Sequence, residues 1–590
     1  MRKTYYNLIG AVCLAAGVAS CGDFLEIKST SEIILEDFWN EKADVDNVVS
    51  GCYSALLGDG VRRRMMIWGE VRSDNIMSGQ NINNDANLYN ILKENITAMN
   101  SYTTWDGFYD VINRCNTVLK YAPGVAAIDP AYTDGDLKAT IAEVSALRDL
   151  CYFYLIRTFR DVPYSTEAYT DDDQVMDLPA TPFETVLDNL INDLEKVKDD
   201  AVNRYPEDKP LYQTGRITKN TIYAMLCEMY LWKQDYDRCI NYAELVIQNM
   251  KLYDEENRQK AGNKQSASTL TLMDARLNGY PLVADNLTGS RFGDAYKAIF
   301  VTGASKETIF ELSYNDSPNS SDQYPDNSAI GSLYGRSGAS KGLLSPSTAV
   351  TEDVAATSGR VIFDDKNKKI DARLYQGLDA DKEEIKKYAA SSIEIDATSA
   401  SNTTAPKVEY SLFASGNNGS KWIIYRLPDI MLLEAEALCQ KMQEGADSAI
   451  IAYNRPLLDQ AFRLVNAINK RSICKEQSKI TDADTLKAGD YTTKYLMDEL
   501  VQRERQRELM FEGKRYYDLV RYCMRAGNTD AIITASQRRD DVNKQFALNF
   551  FKKMDAIFWP YNNEEMKVNR NLVPNPAFGS GESTSYEKTK

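Results

Sequence analysis

The sequence predicts a mostly α-helical protein. Tetratricopeptide-like (TPR-like) helix pairs form its scaffold, and a long, irregular, loop-rich middle region with few short strands interrupts them. Apolar residues recur at helical spacing over long stretches of the chain. Two of these stretches divide into helix–turn–helix units of the kind found in TPR repeats. The stretch between them is rich in Gly, Ser, Asn, Asp and Tyr, and it lacks helical periodicity.

Helical spacing is clear in the N-terminal third of the chain. Trp105 to Tyr121 and Thr140 to Arg160 are predicted to be amphipathic helices, because their apolar residues fall on one face. Thr181-Pro182 supplies a cap and a first-turn proline for a third helix. The first two helices could stack as one further repeat unit.

Two later segments resemble TPR units more closely. Ile217 to Trp232 and Asp237 to Met250 predict two helices joined by a turn at residues 234–236. A second pair is predicted over Leu427 to Gln440 and Ile450 to Lys470. Because repeat helices bury their faces on their neighbours, the pairs together predict one continuous core.

The chain divides into regions of different composition. Residues 1–20 are predicted to be a cleaved lipoprotein signal peptide, and residues 21–590 a single domain. That domain is predicted to contain a tether (22–34), an N-terminal helical part (35–250), an irregular ligand-binding part (251–421), and a C-terminal helix pair with a wrapping tail (422–590). Within the irregular part, Thr308 to Leu312 is a strand-like run.

The N-terminus predicts export and a lipid anchor. A basic start is followed by an apolar run of about a dozen residues, whereas a helix needs ~20 to span a bilayer. Small residues directly precede Cys21, as in bacterial lipoprotein signals, so Cys21 is predicted to carry lipid. An uncleaved anchor, or a plain signal peptide cut near Ala19, is the alternative. Gly22 resembles the residue that follows the lipidated cysteine in outer-membrane lipoproteins.

The composition excludes several function classes. The chain has no histidine, which rules out Ser-His-Asp and Cys-His triads and HExxH zinc sites. A net charge of −16 argues against nucleic acid as a partner. Apart from Cys21, the mature chain has eight scattered cysteines, which we predict to be buried free thiols. Cys227 and Cys239 could meet across a helical hairpin.

Two carboxylates and two acidic clusters are candidates for chemistry. Glu504 and Glu508 share a helix face, as a glycosidase pair could, but surrounding arginines favour buried ion pairs instead. Residues 134–136 and 171–173 could hold Ca²⁺, although neither has EF-hand spacing and solvated loops are the preferred interpretation. No cofactor is expected, and incidental Ca²⁺ binding is left open.

Several segments together resemble one family. The chain is similar to the SusD/RagB family of outer-membrane nutrient-binding lipoproteins over essentially its whole mature length. The long R-x-R-x-x-E-L-x-F-E-G-x-R-x-x-D-L signature is the most specific of the matches. Elsewhere the chain departs from the family pattern at Arg160, where glycine is more usual, and at Glu434, where tyrosine is more usual. The matching segments are residues 21–26, 105–119, 146–163, 215–219, 425–437 and 503–519.

The resemblance implies a non-catalytic binding protein. Such proteins are lipid-anchored at the outer membrane, exposed on the cell surface, and partnered with a SusC-type TonB-dependent transporter. They capture an oligosaccharide, or in RagB-like members a peptide, for uptake. A surface glycoside hydrolase using carboxylates, and a TPR scaffold that recruits only proteins, are the rival hypotheses.

Two loop stretches combine aromatic and polar side chains, which suits sugar binding. Aromatic rings stack on the C–H faces of sugars, while Asp, Asn and Arg bond to their hydroxyls. The resemblance also implies ligand contacts from loops after the early helices and from the irregular middle, where these stretches fall. The predicted ligand residues are Trp68, Arg72, Asp74, Asn75, Asn81 and Tyr89 in the first stretch, and Tyr314, Asn315, Asp316, Tyr324, Tyr334 and Arg336 in the second.

Overall fold

Helices dominate the computed structural model of the chain, as predicted. Within its described residues, no helix is both long and apolar enough to cross a membrane. The structure describes residues 38–171, 173–260, 276–314, 327–338, 341–351, 362–363, 369–401 and 404–578.

The N-terminal part is a layer of antiparallel helices. Both predicted long helices are confirmed, as α4 and α5, and α1, α4, α5 and α6 pack side by side in that order. Helix α5 begins earlier than predicted, because Thr133 and Asp136 form a capping box there. The helices are α1 (Lys42–Leu56), α2 (Asp59–Glu70), α3 (Ala86–Leu92), α4 (Asp106–Ile128), α5 (Asp134–Phe159) and α6 (Phe183–Val197).

Helix α5 ends at a strained residue. Arg160 follows it with a φ of 73°, and its backbone N–H donates to Ile156 O. This left-handed region suits glycine, because a Cβ is unfavourable there. The geometry therefore explains the glycine that the family pattern has at this position.

The first TPR-like pair is confirmed. Helix α7 (Tyr212–Gly215) precedes α8 (Lys219–Trp232) and α9 (Tyr236–Lys260), which pack against each other along their lengths. The turn between α8 and α9 uses Gln234 with a φ of 62°. Residues 221–232 of α8 are all buried, so this helix lies inside the scaffold.

The irregular middle contains only a few short strands, as predicted. Short helices α10 (Asp294–Tyr296), α11 (Ser328–Leu333), α12 (Thr348–Thr351) and α13 (Ala372–Gly377) are dispersed among small antiparallel sheets. Across the described chain the sheets pair β1 with β6, β2 with β3, β7 with β8, β11 with β5, and β10 with β9 and β4, and strands β1 to β3 belong to the N-terminal part. The strands are β1 (Ile76–Ser78), β2 (Val162–Pro163), β3 (Ala180–Thr181), β4 (Arg291–Phe292), β5 (Thr308–Leu312), β6 (Leu344–Pro346), β7 (Leu378–Asp379), β8 (Glu384–Ile385), β9 (Ala390–Asp396), β10 (Lys407–Leu412) and β11 (Trp422–Arg426).

Strands β5 and β11 close the middle region. The strand-like run predicted at Thr308–Leu312 is confirmed as β5, and its Leu312 pairs with Trp422 of β11. Strand β11 then runs directly into the next helix, whose second residue is Pro428. Residues 313–421 thus leave and rejoin the rest of the fold at neighbouring positions.

The C-terminal part contains the second TPR-like pair, α14 and α15, also as predicted. Helix α14 packs on α9 of the first pair as well as on α15, and the buried apolar side chains form one connected core. The tail contains a short helix, and the backbone N–H of Trp559 before it donates to Thr158 O at 2.8 Å. The helices are α14 (Leu427–Lys441), α15 (Ser448–Ser472), α16 (Lys494–Leu509), α17 (Arg515–Ala526), α18 (Asp530–Gln537), α19 (Lys544–Phe550) and α20 (Asn563–Val568).

Candidate functional site

The first predicted ligand residues, Trp68 and Arg72, are buried. Trp68 lies on α2, not in a loop, and its indole N–H donates to Tyr102 O at 2.8 Å. Arg72 Nε donates to Glu94 Oε2 at 2.8 Å, and both side chains are fully buried. These contacts hold the end of α2 inside the fold, so neither side chain faces a ligand.

Asp74 and Asn75 are buried too, and they attach this stretch to the C-terminal signature segment. The Asp74 carboxylate accepts from Arg515 Nε at 2.8 Å and from Arg538 Nη1 at 3.0 Å. Burial alone would raise the pKa of Asp74, but these two charges hold it well below its ordinary value. Asn75 Oδ1 accepts from Gln506 Nε2 at 2.9 Å. Because both residues are buried, neither remains a candidate for ligand contact.

Glu70 makes the same connection through the backbone. Its two carboxylate oxygens accept from the N–H groups of Phe511 and Gly513, each at 3.0 Å. Both donors have a positive φ, of 68° and 70°. Glu70 thus stabilises the strained turn between α16 and α17, and burial raises its pKa to about 7 despite these hydrogen bonds.

The second predicted stretch is divided between core and surface. Tyr314 is buried, with the Arg62 guanidinium 4.9 Å from its ring centroid. Tyr334 is buried, and its hydroxyl donates to Phe511 O at 3.2 Å. Both rings pack inside the fold, so neither remains a candidate for ligand contact. Asn315, Asp316 and Tyr324 lie outside the described residues and stay predictions.

Strand pairing brings together two candidates, the half-buried Asn81 and the exposed Arg336. Strands β1 and β6 pair antiparallel, and just beyond them Asn81 Nδ2 donates to Lys341 O at 2.6 Å. Arg336 Nη1 donates to Ser415 Oγ at 2.7 Å. Gly335 bridges to Lys341, which places Arg336 in the same turn that receives Asn81. The two predicted stretches are therefore neighbours in the fold.

Tyr89 is the exposed aromatic candidate, although it lies on the short helix α3 and not in a loop as predicted. Its side chain is 39% exposed, and the Lys93 ammonium lies 5.3 Å from its ring centroid. Lys93 pairs with Asp541, which accepts from the backbone N–H and hydroxyl of Ser78, each at 3.0 Å. These links attach Tyr89 to the end of β1. We call Asn81, Tyr89 and Arg336 the loop surface.

The loop surface includes neighbours that sequence reasoning missed. Lys341 and Ser415 contact Asn81 and Arg336, and Lys341 Nζ donates to Lys382 O at 3.2 Å. No sequence spacing connects these positions, because β-pairing between distant segments creates the surface.

Glu504 and Glu508 are buried ion-pair partners, as the preferred interpretation predicted. Glu504 accepts from Arg507 Nη2 at 2.6 Å, and Glu508 accepts from Arg426 Nη1 at 2.5 Å and from Arg471. Burial would raise both pKa values, but the arginines outweigh it and lower the pKa of each carboxyl. A general acid needs the opposite shift.

The remaining candidates contribute to the scaffold. All eight cysteines of the described chain are buried and free, as predicted, and the Sγ atoms of Cys227 and Cys239 lie 3.7 Å apart. Asp136 caps α5 and pairs with Lys42 at 2.8 Å. The lipid-attachment residue Cys21 lies outside the described residues.

Two family models match the chain. One is described as "SusD family" and matches residues 306–578. The other is described as "Starch-binding associating with outer membrane" and matches residues 23–231. Together they cover most of the chain, including both helical parts and the signature segment.

The chain belongs to the SusD family. The sequence-based recognition is thereby confirmed, and the family's description associates it with the outer membrane.

Curated SusD-like relatives come from Formosa agariphila. SusD-like protein P2 is 22% identical over 611 residues, covering 96% of this chain and 98% of that protein. SusD-like protein P38 is 29% identical over 192 residues, 32% of this chain. The matches span only 36% of P38 and 46% of SusD-like protein P25.

Solved structures of the SusD superfamily share the fold. A SusD homolog from Bacteroides thetaiotaomicron has a TM-score of 0.60 at 17% identity, covering 92% of this chain and 98% of that one. A structure described as a laminarin binding SusD-like protein has a TM-score of 0.58 at 18% identity, covering 92% and 100%. These likenesses establish the helical scaffold of this chain.

Proposed function

We propose that this protein captures an oligosaccharide at the cell surface and delivers it to a SusC-type TonB-dependent transporter. The observation that carries the proposal is membership of the SusD family, matched in both halves of the chain. A structural neighbour described as laminarin binding makes a glucan the first ligand to test.

The proposed role is binding without catalysis. The acid pair that a hydrolase would need is buried in ion pairs that lower both pKa values. The proposed contact region is the loop surface, because Asn81, Tyr89 and Arg336 combine an aromatic ring, an amide and a guanidinium at exposed or half-buried positions.

The proposed anchor is a lipid on Cys21. The described body begins at residue 38, so chain length limits the distance between the lipid site and that residue to about 60 Å at ~3.5 Å per residue. A tether of that reach would let the body sit over a transporter while it remains attached to the membrane.

Isothermal titration of the lipid-free protein against a panel of glucans, other glycans and peptides tests the function. At least one glycan is expected to bind, with no new reducing ends after prolonged incubation. Binding of peptides alone would replace the sugar by a RagB-like peptide ligand. Released sugar that Glu504→Gln or Glu508→Gln abolishes would replace binding by hydrolysis.

The same titration tests the loop surface. Tyr89→Ala, Asn81→Ala and Arg336→Ala should each weaken glycan binding about fivefold, because one ring contact or hydrogen bond contributes about 1 kcal/mol. Tyr212→Ala is the matched control, since Tyr212 is similarly exposed (37%) and lies on α7. Unchanged affinity in all three variants would place the glycan elsewhere.

A further inference from the structure

A groove on the second TPR-like pair has the dimensions of a ligand site. It lies between α15 and the segment that leads into α16, and its volume is about 900 Å³. Pockets that bind small molecules span roughly 300–1,000 Å³. None of its lining residues belongs to the loop surface. We call it the α15–α16 groove.

Aromatic and apolar side chains line this groove, and each of those described below is half-buried or exposed. The rings of Phe462 and Tyr491 stack with centroids 6.3 Å apart and an interplanar angle of 29°. Tyr495 is 66% exposed and Ile451 is 57% exposed. The half-buried ring pair, one exposed ring and an exposed isoleucine thus surround one cavity, as at a binding surface, whereas isolated exposed apolar residues are ordinary.

The polar side chains of the groove carry nearly balanced charge. Arg455 and Asp459 are both exposed and lie four residues apart on α15, yet within the described residues neither forms an ion pair. Glu444, Lys494 and Asp498 complete the charged lining. Opposite charges at this spacing usually attract. Here they leave separate donors and acceptors along the groove, with no strong net charge to favour an ionic ligand.

Asp498 is a half-buried residue of the groove lining. Its carboxylate accepts from Gln440 Nε2 at 2.9 Å and from Gln502 Nε2 at 2.6 Å. Burial raises the pKa of Asp498 to about 6. The two amides fix the carboxyl group beside the aromatic lining, where a ligand hydroxyl could reach it.

The construction of the groove suits a sugar better than a peptide. An extended peptide binds by adding a strand to a sheet edge, but the groove lies between helices, which satisfy their own backbone groups. A docking helix needs a continuous apolar stripe, which Arg455 and Asp459 interrupt on α15. Flat rings beside separate hydrogen-bond donors and acceptors match the C–H faces and hydroxyls of an uncharged glycan.

We propose that the α15–α16 groove is a second binding site for an uncharged, hydroxyl-rich oligosaccharide, separate from the loop surface. This inference rests on the proposed glycan-binding function and extends it. A long glycan that reaches both sites would be held more tightly than a short one, because the second contact becomes intramolecular. The groove would then make the protein selective for chain length.

Affinity electrophoresis in gels containing the polysaccharide bound by the wild type, with parallel calorimetry on its short oligosaccharides, tests the groove. Tyr495→Ala and Arg455→Ala are expected to weaken binding of the polysaccharide about tenfold. Tyr453→Ala is the matched control, because Tyr453 is 45% exposed on the same helix but does not line the groove. Circular dichroism checks that each variant is folded.

The outcomes separate this inference from the proposed function. Glycan binding by the wild type that neither groove variant weakens would overturn the second site and leave the proposed function standing. No glycan binding by the wild type would overturn both. Equal weakening by Tyr453→Ala would also overturn the groove, since the effect would not follow its lining.

Discussion

Two residues where this chain departs from its family have measurable consequences. Arg160 occupies a left-handed position that favours glycine, and Glu434 is a buried carboxyl where the family more often has tyrosine. Neither consequence follows from composition or periodicity. Each depends on the local backbone or on the partners that the fold supplies.

Replacing Arg160 by glycine should stabilise the protein by about 1 kcal/mol. The substitution removes the Cβ from a φ of 73°, a strain of ~1–2 kcal/mol, and loses the partly exposed ion pairs to Asp555 and Asp161. Arg160→Ala is the control, because it loses the same ion pairs and keeps the strain. Urea unfolding measures both, and equal stability of the two variants would contradict the strain.

Glu434→Gln should stabilise the protein increasingly as the pH rises from about 5 to 8. Oε1 of Glu434 accepts from Gln460 Nε2 at 2.6 Å, while Oε2 is buried without a hydrogen-bond partner in the described structure. Burial raises the pKa of Glu434 to about 8. Its contribution to stability is therefore complete below the unfolded value near 4.5, and it is lost as the pH rises towards 8.

Unfolding free energies of wild type and Glu434→Gln, measured at each pH over this window, test the shift. The difference should grow by at most ~1.4 kcal/mol per pH unit. Glu436→Gln is the contrasting variant on the same helix. The charges of Arg521 and Arg525 outweigh burial and lower the pKa of Glu436, so this variant should be destabilised throughout. A constant difference for Glu434→Gln would refute the raised pKa.

At the scale of elements, the turn between α16 and α17 depends on contact with α2. A Cβ on Gly69 would lie 1.9 Å from Gly513 O, so the two backbones meet where only glycine fits. The carboxylate of Glu70 then accepts from both Phe511 and Gly513. The family signature thus includes the turn that connects the C-terminal part of the chain to α2 in the N-terminal part.

Gly69→Ala should therefore destabilise the protein by several kcal/mol, since backbone must move to accept the methyl group. Gly124→Ala is the matched control within a helix. A Cβ there meets nothing within 4 Å, and alanine favours the helix by roughly 0.5–1 kcal/mol. Thermal unfolding of both variants is the measurement. A mild effect at Gly69 would contradict the close contact between α2 and the turn that contains Gly513.

At the scale of the whole molecule, sequence predicted the helix pairs but not what they bury. Periodicity is local, so α8, α9, α14 and α15 could be identified from neighbouring residues. The burial of Asp74 depends on Arg515, more than 400 positions away, and no local pattern contains that contact. The same holds for Asn81 and Lys341, which meet only because β1 pairs with β6.

Strands β9 and β10 were not predicted, although they have a local pattern. Alternate residues of β9 and β10, such as Ile393, Ile395, Val408 and Tyr410, are apolar, which is the period of a half-buried strand. The Gly- and Ser-rich composition around them obscured that alternation. The loop surface was predictable only in part, because exposure depends on the packing of segments from the whole chain.

The lipid anchor and the binding body should be separable. Cys21→Ala should abolish retention at the outer membrane, measured by fractionation of cells, while the purified soluble body keeps its ligand affinity. The reason is that the described helices begin at residue 42, well beyond the attachment point. Weaker binding by the purified variant would contradict this division.

The pairing of β5 with β11 has a consequence for how such proteins diversify. Leu312 and Trp422 are partners across that ladder, so the 109 residues between them leave and re-enter the helical frame at one place. A segment attached in this way resembles an exchangeable cassette. Recombination between relatives could replace it whole and alter what the surface recognises, provided that the new segment keeps its buried contacts with the frame, such as those of Tyr334 with Phe511 and of Arg373 with Glu504.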